Sequence, residues 1–331
     1  MRQFTARRLV AAILVAVAAV SSSALAASAR ARTSRPAATM NLLWVQPLRN
    51  HPVHRIMQAG FLSECKKLKV HCEVVGNPSA TVFDVPGSVS LAQAALSRTK
   101  FSALAVYAVD PAIYPFIKQL NGRGYPVVSW HTLNLKKGSV PGLNAVTGTN
   151  PAIYAKQAAI AIGKKIRGKG TVALTQGSFN TTENLVSKVF IQTMRSRFSK
   201  VKVLAPQIEG FEPSAARAKA VSILQAHPDV VAAMSTTGGG PATWAGAEGQ
   251  TRKKLVVIGM DYVRQNLDLV KAGKVYAIVA QPLFQESARA ADLLVKLAKK
   301  KPVPYSNYIP APIVTKSKLA PYYAFLKKAG Q

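Results

Sequence analysis

Leu255-Val256-Val257-Ile258-Gly259-Met260-Asp261 is an apolar run that passes a glycine and ends on a carboxylate. Residues 262–273 follow with helical spacing, Leu267 and Val270 falling on one face, and close on Ala272-Gly273. Val275-Tyr276-Ala277-Ile278-Val279-Ala280 is a second apolar run, stopped by Gln281-Pro282. Strand, helix, strand with continuously apolar strands is the pattern of a parallel pair buried on both faces. Ligands of open α/β sheets bind beyond the carboxyl ends of the strands. The stretch therefore predicts an α/β fold with Asp261 and Gln281 at a cleft.

Working outward, the alternation continues to Met40. Strands are expected at Asn41–Val45, Val70–Val75, Ala103–Tyr107 and Tyr125–Trp130, with helices at Pro52–Leu68, Val89–Thr99 and Ile113–Arg123 between them. The pattern then restarts. Helices at Pro151–Ile166, Thr182–Phe198, Ser214–Ala226 and Ala242–Gly249 alternate with strands at Gly170–Gln176, Val201–Ile208 and Val230–Ser235. A helix over Gln285–Lys299 precedes an extended segment marked by Pro302, Pro304, Pro310 and Pro312. Such alternation predicts parallel sheets covered by helices, and its repetition predicts two lobes with a cleft between them.

Arg2, Arg7 and Arg8, the apolar Leu9–Val20 and the small residues Ala24-Leu25-Ala26 read as a cleaved export signal over 1–26. Residues 27–39 form an expected flexible leader. No later run is long enough to cross a bilayer. The mature chain is thus expected outside the cytoplasmic membrane, periplasmic or extracytoplasmic. The 331 residues are 49% hydrophobic, ample for buried cores. Lys and Arg number 44 against 13 Asp and Glu, a formal charge of +31. The basic residues are scattered in pairs and triplets at expected helix ends and loops, as solvated surface is, so nucleic acid is not an expected partner. Cys65 and Cys72 both point inward from a helix and a strand, and either a disulfide or two neighbouring core thiols fits that placement. With no cluster of His and Cys at ligand spacing, neither a metal nor another cofactor is expected.

Several short motifs recur in one order: a strand followed by Asn50-His51-Pro52, a helix reaching Gly60, Tyr125-Pro126-Val127-Val128, Ala226-His227-Pro228-Asp229-Val230, Gly259-Met260-Asp261 and Ala280-Gln281-Pro282. Over nearly all of residues 40–331 this order resembles the periplasmic solute-binding proteins of ABC importers, ribose type, with the periplasmic binding protein type I fold. The resemblance implies two Rossmann-like lobes with parallel sheets flanked by helices, joined by a hinge that the chain crosses three times, near Thr149, Gln281 and Ile309. The N-terminal lobe would comprise 40–149 plus 282–309, and the C-terminal lobe 150–281 plus 310–331. The implied function is capture of a small hydroxylated ligand, a sugar, polyol or cyclitol, by hinge closure. The ligand would be delivered by a monomer to the membrane permease of an importer. An exported receptor for chemosensing, or a binder of a small anionic or non-sugar ligand, are the alternatives.

The resemblance also implies site positions. Asp261 matches a ligand-holding carboxylate, although an Asp there also suits a helix cap. Gln281 and Thr149 lie at hinge crossings, and Phe211 matches an aromatic that stacks on a sugar ring. Elsewhere the chain departs from the ribose pattern. His51 and His54 stand where an amide and an aromatic are usual, Tyr107 replaces an Asn, and His131 replaces an Asp. Asn184 replaces an Arg, and Thr237 replaces an Asn. These changes remove charge and add imidazole and aromatic surface, which points away from ribose itself. Gly238-Gly239-Gly240 is either a tight turn or an anion cradle at a helix N-terminus. No nucleophile elbow, metal-spaced triad or phosphate loop is present, so an enzyme is not expected. Nor is a transcription regulator, whose helix-turn-helix would occupy the space held here by the export signal.

Overall fold

The computed structural model describes residues 40–328 and 330–331; the export signal and leader expected over 1–39 lie outside the described residues. In chain order the first elements are β1 (Asn41–Gln46), α1 (Pro52–Leu68), β2 (His71–Gly76), α2 (Val85–Arg98), β3 (Ala103–Val106), α3 (Tyr114–Gly122), β4 (Val127–Ser129) and β5 (Ala145–Gly148). They are followed by α4 (Pro151–Lys165), β6 (Lys169–Gln176), α5 (Thr181–Arg197), β7 (Lys200–Val203), β8 (Gln207–Ile208), α6 (Pro213–Ala226) and β9 (Val230–Ser235). The last are α7 (Gly240–Thr251), β10 (Val256–Met260), α8 (Arg264–Lys271), β11 (Ala277–Val279), α9 (Leu283–Ala298), β12 (Ser306–Tyr308), β13 (Ile313–Thr315) and α10 (Ala320–Lys328).

The strands form two sheets. One runs β12-β5-β4-β3-β1-β2 and is parallel throughout. The other runs β13-β11-β10-β9-β6-β7, with the short β8 also on β6. Only β13 is antiparallel to its neighbour β11 among the described strands. The chain passes from one sheet to the other after β5, after β11 and between β12 and β13. The strands are buried on both faces, which explains their unbroken apolar runs: Leu42, Leu43, Trp44, Ala103, Leu104, Ala105, Val257 and Ile258 are all inaccessible to solvent. α9 leaves the second sheet and packs on α1, β3 and β5, closing the first lobe.

Helix starts are written in local chemistry. Asp84, Asn150, Asn180 and Glu212 each accept backbone N–H bonds from the first turn of the helix they precede. Asp84, with Pro86 behind it, starts α2 at Val85, four residues before the expected start at Val89. The strand expected over 201–208 is broken into β7 and β8 around Pro206, which has no N–H to donate to the ladder. Cys65 and Cys72 form a disulfide, with Cα atoms 6.3 Å apart, that ties the end of α1 to the start of β2. No described helix is long and apolar enough to cross a membrane.

Candidate functional site

Both sheets point their carboxyl ends at one cavity. The first sheet supplies Leu48 and His51 after β1, Phe83 after β2, Tyr107 after β3 and His131 after β4. The second supplies Asn180, Thr182 and Glu183 beyond β6, Phe211 after β8, Thr236, Thr237 and Gly238 after β9, and Asp261 after β10. Val53 and His54 on α1, Tyr154 on α4 and Gln281 after β11 complete the lining. The cavity measures about 70 Å³, room for several waters. A larger cavity of about 340 Å³ shares its His51, Val53, Phe211, Thr237 and Gly238 walls.

The aromatic wall is built from the core outward. Phe61, Trp44, Trp130 and Tyr107 form a column with successive ring centroids 4.8, 4.7 and 4.5 Å apart, and Tyr107 ends it at the cavity. His54 meets the Trp130 ring edge-on at 5.5 Å, and His51 meets Phe211 edge-on at 6.3 Å. Phe83 of the first lobe stacks on Phe211 of the second at 5.9 Å, so Phe211 meets two rings across the cleft. Phe211 also comes close to Gly177, where a Cβ would lie 2.5 Å from the ring. The lobes meet again where the Thr181 hydroxyl donates to the Val109 carbonyl, 2.8 Å, and where the Thr132 and Thr182 hydroxyls bond, 3.1 Å.

The acidic groups are all buried. The Glu183 carboxylate accepts from the Gly177 N–H at 2.7 Å, the Asn180 amide at 2.6 Å and the Thr236 hydroxyl. Burial nevertheless pushes its pKa up to about 7. Glu209 lies behind the lining and accepts from the Ser235 and Thr237 hydroxyls at 2.5 and 2.6 Å; burial raises its pKa. Glu286, on α9 and wholly buried, pairs with the His131 ring. Burial opposes the protonation of His131, but Glu286, with Asp261 and Glu183 behind it, holds the imidazole pKa above its usual value.

Asp261 differs from these. It is 3% exposed, its backbone sits at φ 72°, and its carboxylate makes no hydrogen bond with the described residues, Oδ1 being wholly buried. Burial pushes its pKa up to about 7, against the pull of His131. It does not cap α8, whose N-cap is Val263; instead the Asn266 amide bonds the carbonyl oxygens of Gly238, Met260 and Asp261 and fixes the loop. His51 is pushed down to about pKa 4 by burial, and His54 well below the usual value by burial and by the neighbouring imidazoles.

Of the residues singled out in the sequence, His51, His54, Tyr107, His131, Phe211, Thr237, Asp261 and Gln281 meet around this cavity. Thr149 stands behind it, its hydroxyl accepting from the Gln281 amide at 3.1 Å. Asn184 is not brought to the lining; its side chain turns to Gln176, whose amide donates to it at 3.0 Å, and its neighbour Glu183 takes the place. Gly238-Gly239-Gly240 is a tight turn closed by the Gly240 N–H on the Thr237 carbonyl, and Gly238 fits there because a Cβ would meet Val53 at 2.5 Å. Among the described residues no group of three or more His, Cys, Asp or Glu side chains is placed to hold a metal ion. Phe83 and Glu286 are not singled out by the sequence, and Glu183 is not assigned by it to the ligand. A Glu three residues after an Asn at a strand-to-helix turn was the available signal for Glu183, since it reads as a capping pair.

Residues 43–302 match the family described as Periplasmic binding protein domain. A D-allose-binding periplasmic protein of Escherichia coli is 30% identical over 169 residues, 50% of this chain and 54% of that protein, so the match spans about half the length of that curated relative. The fold is similar to a glucose-galactose binding protein from Geobacillus stearothermophilus, with TM-score 0.79, 20% identity, and coverage of 86% of this chain and 100% of that one. It is also similar to a carbohydrate transporter solute binding protein from Agrobacterium radiobacter in complex with D-arabinose, with TM-score 0.79, 16% identity, and coverage of 86% and 96%. At these identities the two structures speak to the fold.

Proposed function

Because this chain belongs to the periplasmic binding protein domain family, we propose that it is an exported solute-binding protein for a small hydroxylated ligand, a sugar, polyol or cyclitol. The observation that carries the reading is the Asp261 carboxylate, buried at the carboxyl end of β10 with no protein donor, facing a cavity walled by Tyr107, Phe83 and Phe211. A buried carboxylate without a partner is costly, and ligand hydroxyls supply the missing donors. The aromatic faces suit the C–H surface of a sugar ring. In the relatives' names the ligands are D-allose, glucose and galactose, and D-arabinose; we carry over to this chain the chemical class and not the individual sugar.

In this reading residues 1–26 direct export and 27–39 are a leader. The lobes, 40–149 plus 282–309 and 150–281 plus 310–331, close about crossings near Thr149, Gln281 and Ile309. The protein acts as a monomer without catalysis or cofactor and hands its ligand to the permease of an ABC importer. A thermal-shift screen of the mature protein against sugars, polyols and cyclitols tests this. The expected result is a hit that stabilises by about 2.7 kcal/mol at roughly a hundredfold excess over its Kd. A shift by small anions alone, or turnover of a bound compound, overturns the reading.

A further inference from the structure

The charge around the cavity runs against the charge of the chain. The sequence carries 44 Lys and Arg and only 13 Asp and Glu. Yet no lysine or arginine lines the cavity among the described residues, while Asp261 and Glu183 do. Glu209 and Glu286 lie directly behind Thr237 and His131, again fully buried. Basic side chains are thus kept from the cavity at Asp261; Arg217 lines only the larger neighbouring cavity.

The acids can be accounted for one by one. Glu183 has three donors; Glu209 has two hydroxyls on Oε1 and Glu286 has the His131 ring on Oε1, the second oxygen of each being buried without a partner. Asp261 alone has no donor on its carboxylate among the described residues, and no cation bonded to it. The remaining imidazoles cannot supply a cation, since burial holds His51 down to about pKa 4 and His54 well below its usual value. His131, the one cavity imidazole whose pKa is raised, is bonded to Glu286 and acts on Asp261 only through its charge. An ionised carboxylate in a closed site calls for a counter-charge as well as hydrogen bonds. A protonated amine brings both, and the electron-rich faces of Tyr107, Phe83 and Phe211 attract a cation besides.

Resting on the function proposed above, we infer that the ligand is a hydroxylated amine, a sugar or cyclitol bearing a protonated amino group, with its ammonium held by Asp261. The hydroxyl groups are then left to Gln281, Asn180 and the threonines. Anionic sugars, including phosphates and uronic acids, are rejected by Asp261 and Glu183 whatever the positive charge of the outer surface does to their approach.

The test is calorimetry on the mature protein with matched probes: D-glucosamine, D-galactosamine, an aminocyclitol and an imino sugar, each beside its neutral parent. An amine is expected to bind about tenfold or more tightly than its parent. Its affinity rises from about pH 5.5 to about pH 7.5 as Asp261 loses its proton, whereas the parent's does not. The titratable groups around Asp261 are His131, Glu286, Glu183, His51, His54, Tyr107, Tyr154 and Tyr262. Asp261→Asn keeps the side-chain shape and hydrogen-bonding capacity, so it separates charge from geometry: it is expected to erase the amine preference and the pH slope while the protein still melts cooperatively. Neutral parents binding as tightly as the amines, or a preference that survives Asp261→Asn, overturns the inference and leaves the hydroxylated-ligand reading standing. If no amine and no parent binds, that reading falls and this one with it.

Discussion

The first lobe faces the cavity with rings: His51, His54, Phe83, Tyr107 and His131. The second faces it with carboxylates, hydroxyls and an amide, from Asn180, Thr182, Glu183, Thr236, Thr237 and Asp261, and adds Tyr154 and Phe211. The ring wall is rigid because it ends a stacked column rooted in the core at Phe61 and Trp44. The acids of the second wall are held by hydrogen bonds to at least one oxygen, except Asp261, whose carboxylate has none among the described residues. Such a division separates shape from sign. The first lobe presents a fixed surface, and the second decides which donors that surface is allowed to bring in.

The widest gap between the walls is expected at Asp261. Its folded pKa is about 7, against about 3.9 for an unfolded Asp. Between those values the folded chain keeps a proton that the unfolded chain has released. Unliganded stability therefore falls as pH rises from about 4 to about 7. Asp261→Asn loses the Asp261 share of this dependence and keeps that of Glu183, so urea unfolding of the two proteins should diverge by an amount on the order of a few kcal/mol across that window. Parallel curves would mean that Asp261 is solvated. For the ligand found by screening, Asp261→Ala should weaken binding by about 2–3 kcal/mol, the worth of a hydrogen bond to a charged group.

The disulfide probes the ring wall from its far end. α1 begins at His51 and His54 and is tied to β2 through Cys65. Replacing Cys65 and Cys72 together by Ala frees a short loop, and chain entropy puts the loss at roughly 2.5 kcal/mol of stability. Affinity should not change, because the helix N-terminus is fixed by its own packing. A parallel loss of affinity would show that the ring wall depends on the whole length of α1. Smaller again is Phe211→Ala. It removes the stack on Phe83 and the edge contact with His51, both of which span the cleft, and should cost about 1 kcal/mol of binding. An effect as large as that of Asp261→Ala would abolish the distinction between the walls.

The fold was legible because it rests on periodicity. Continuous apolar runs such as Val256–Met260 and amphipathic runs such as Pro52–Leu68 announce their own structure. The short strands β5, β12 and β13 have too few residues for a period and are strands only because a neighbour pairs with them. The site divides in the same way. Asp261, Gln281 and Tyr107 end recognisable strands, so topology alone places them. Glu286 looks like one more charge in the first turn of α9, and its burial depends on His131, 155 residues away. Phe83 sits in an irregular loop after β2, where no pattern says which way a ring turns. The swap of Asn184 for Glu183 is one step along α5, a rotation of about 100° that decides which side chain enters the cavity.

The smallest effect concerns the seam between the walls. Gln281 lines the cavity where the chain crosses from β11 to α9, and its amide donates to the Thr149 hydroxyl where the chain crosses from β5 to α4. Both groups are buried, so the bond links two of the three crossings and not merely two side chains. Thr149→Val keeps the volume and removes the acceptor. Its expected cost is about 1 kcal/mol, the usual net worth of one such bond. If the crossings flex as a hinge, the loss should appear as faster ligand release with little change in melting temperature, because the open and closed forms keep their cores. Stopped-flow release and a thermal melt on the same variant distinguish the outcomes. A lower melting temperature with unaltered release would make the bond part of the packing of the second lobe and would remove it from the hinge.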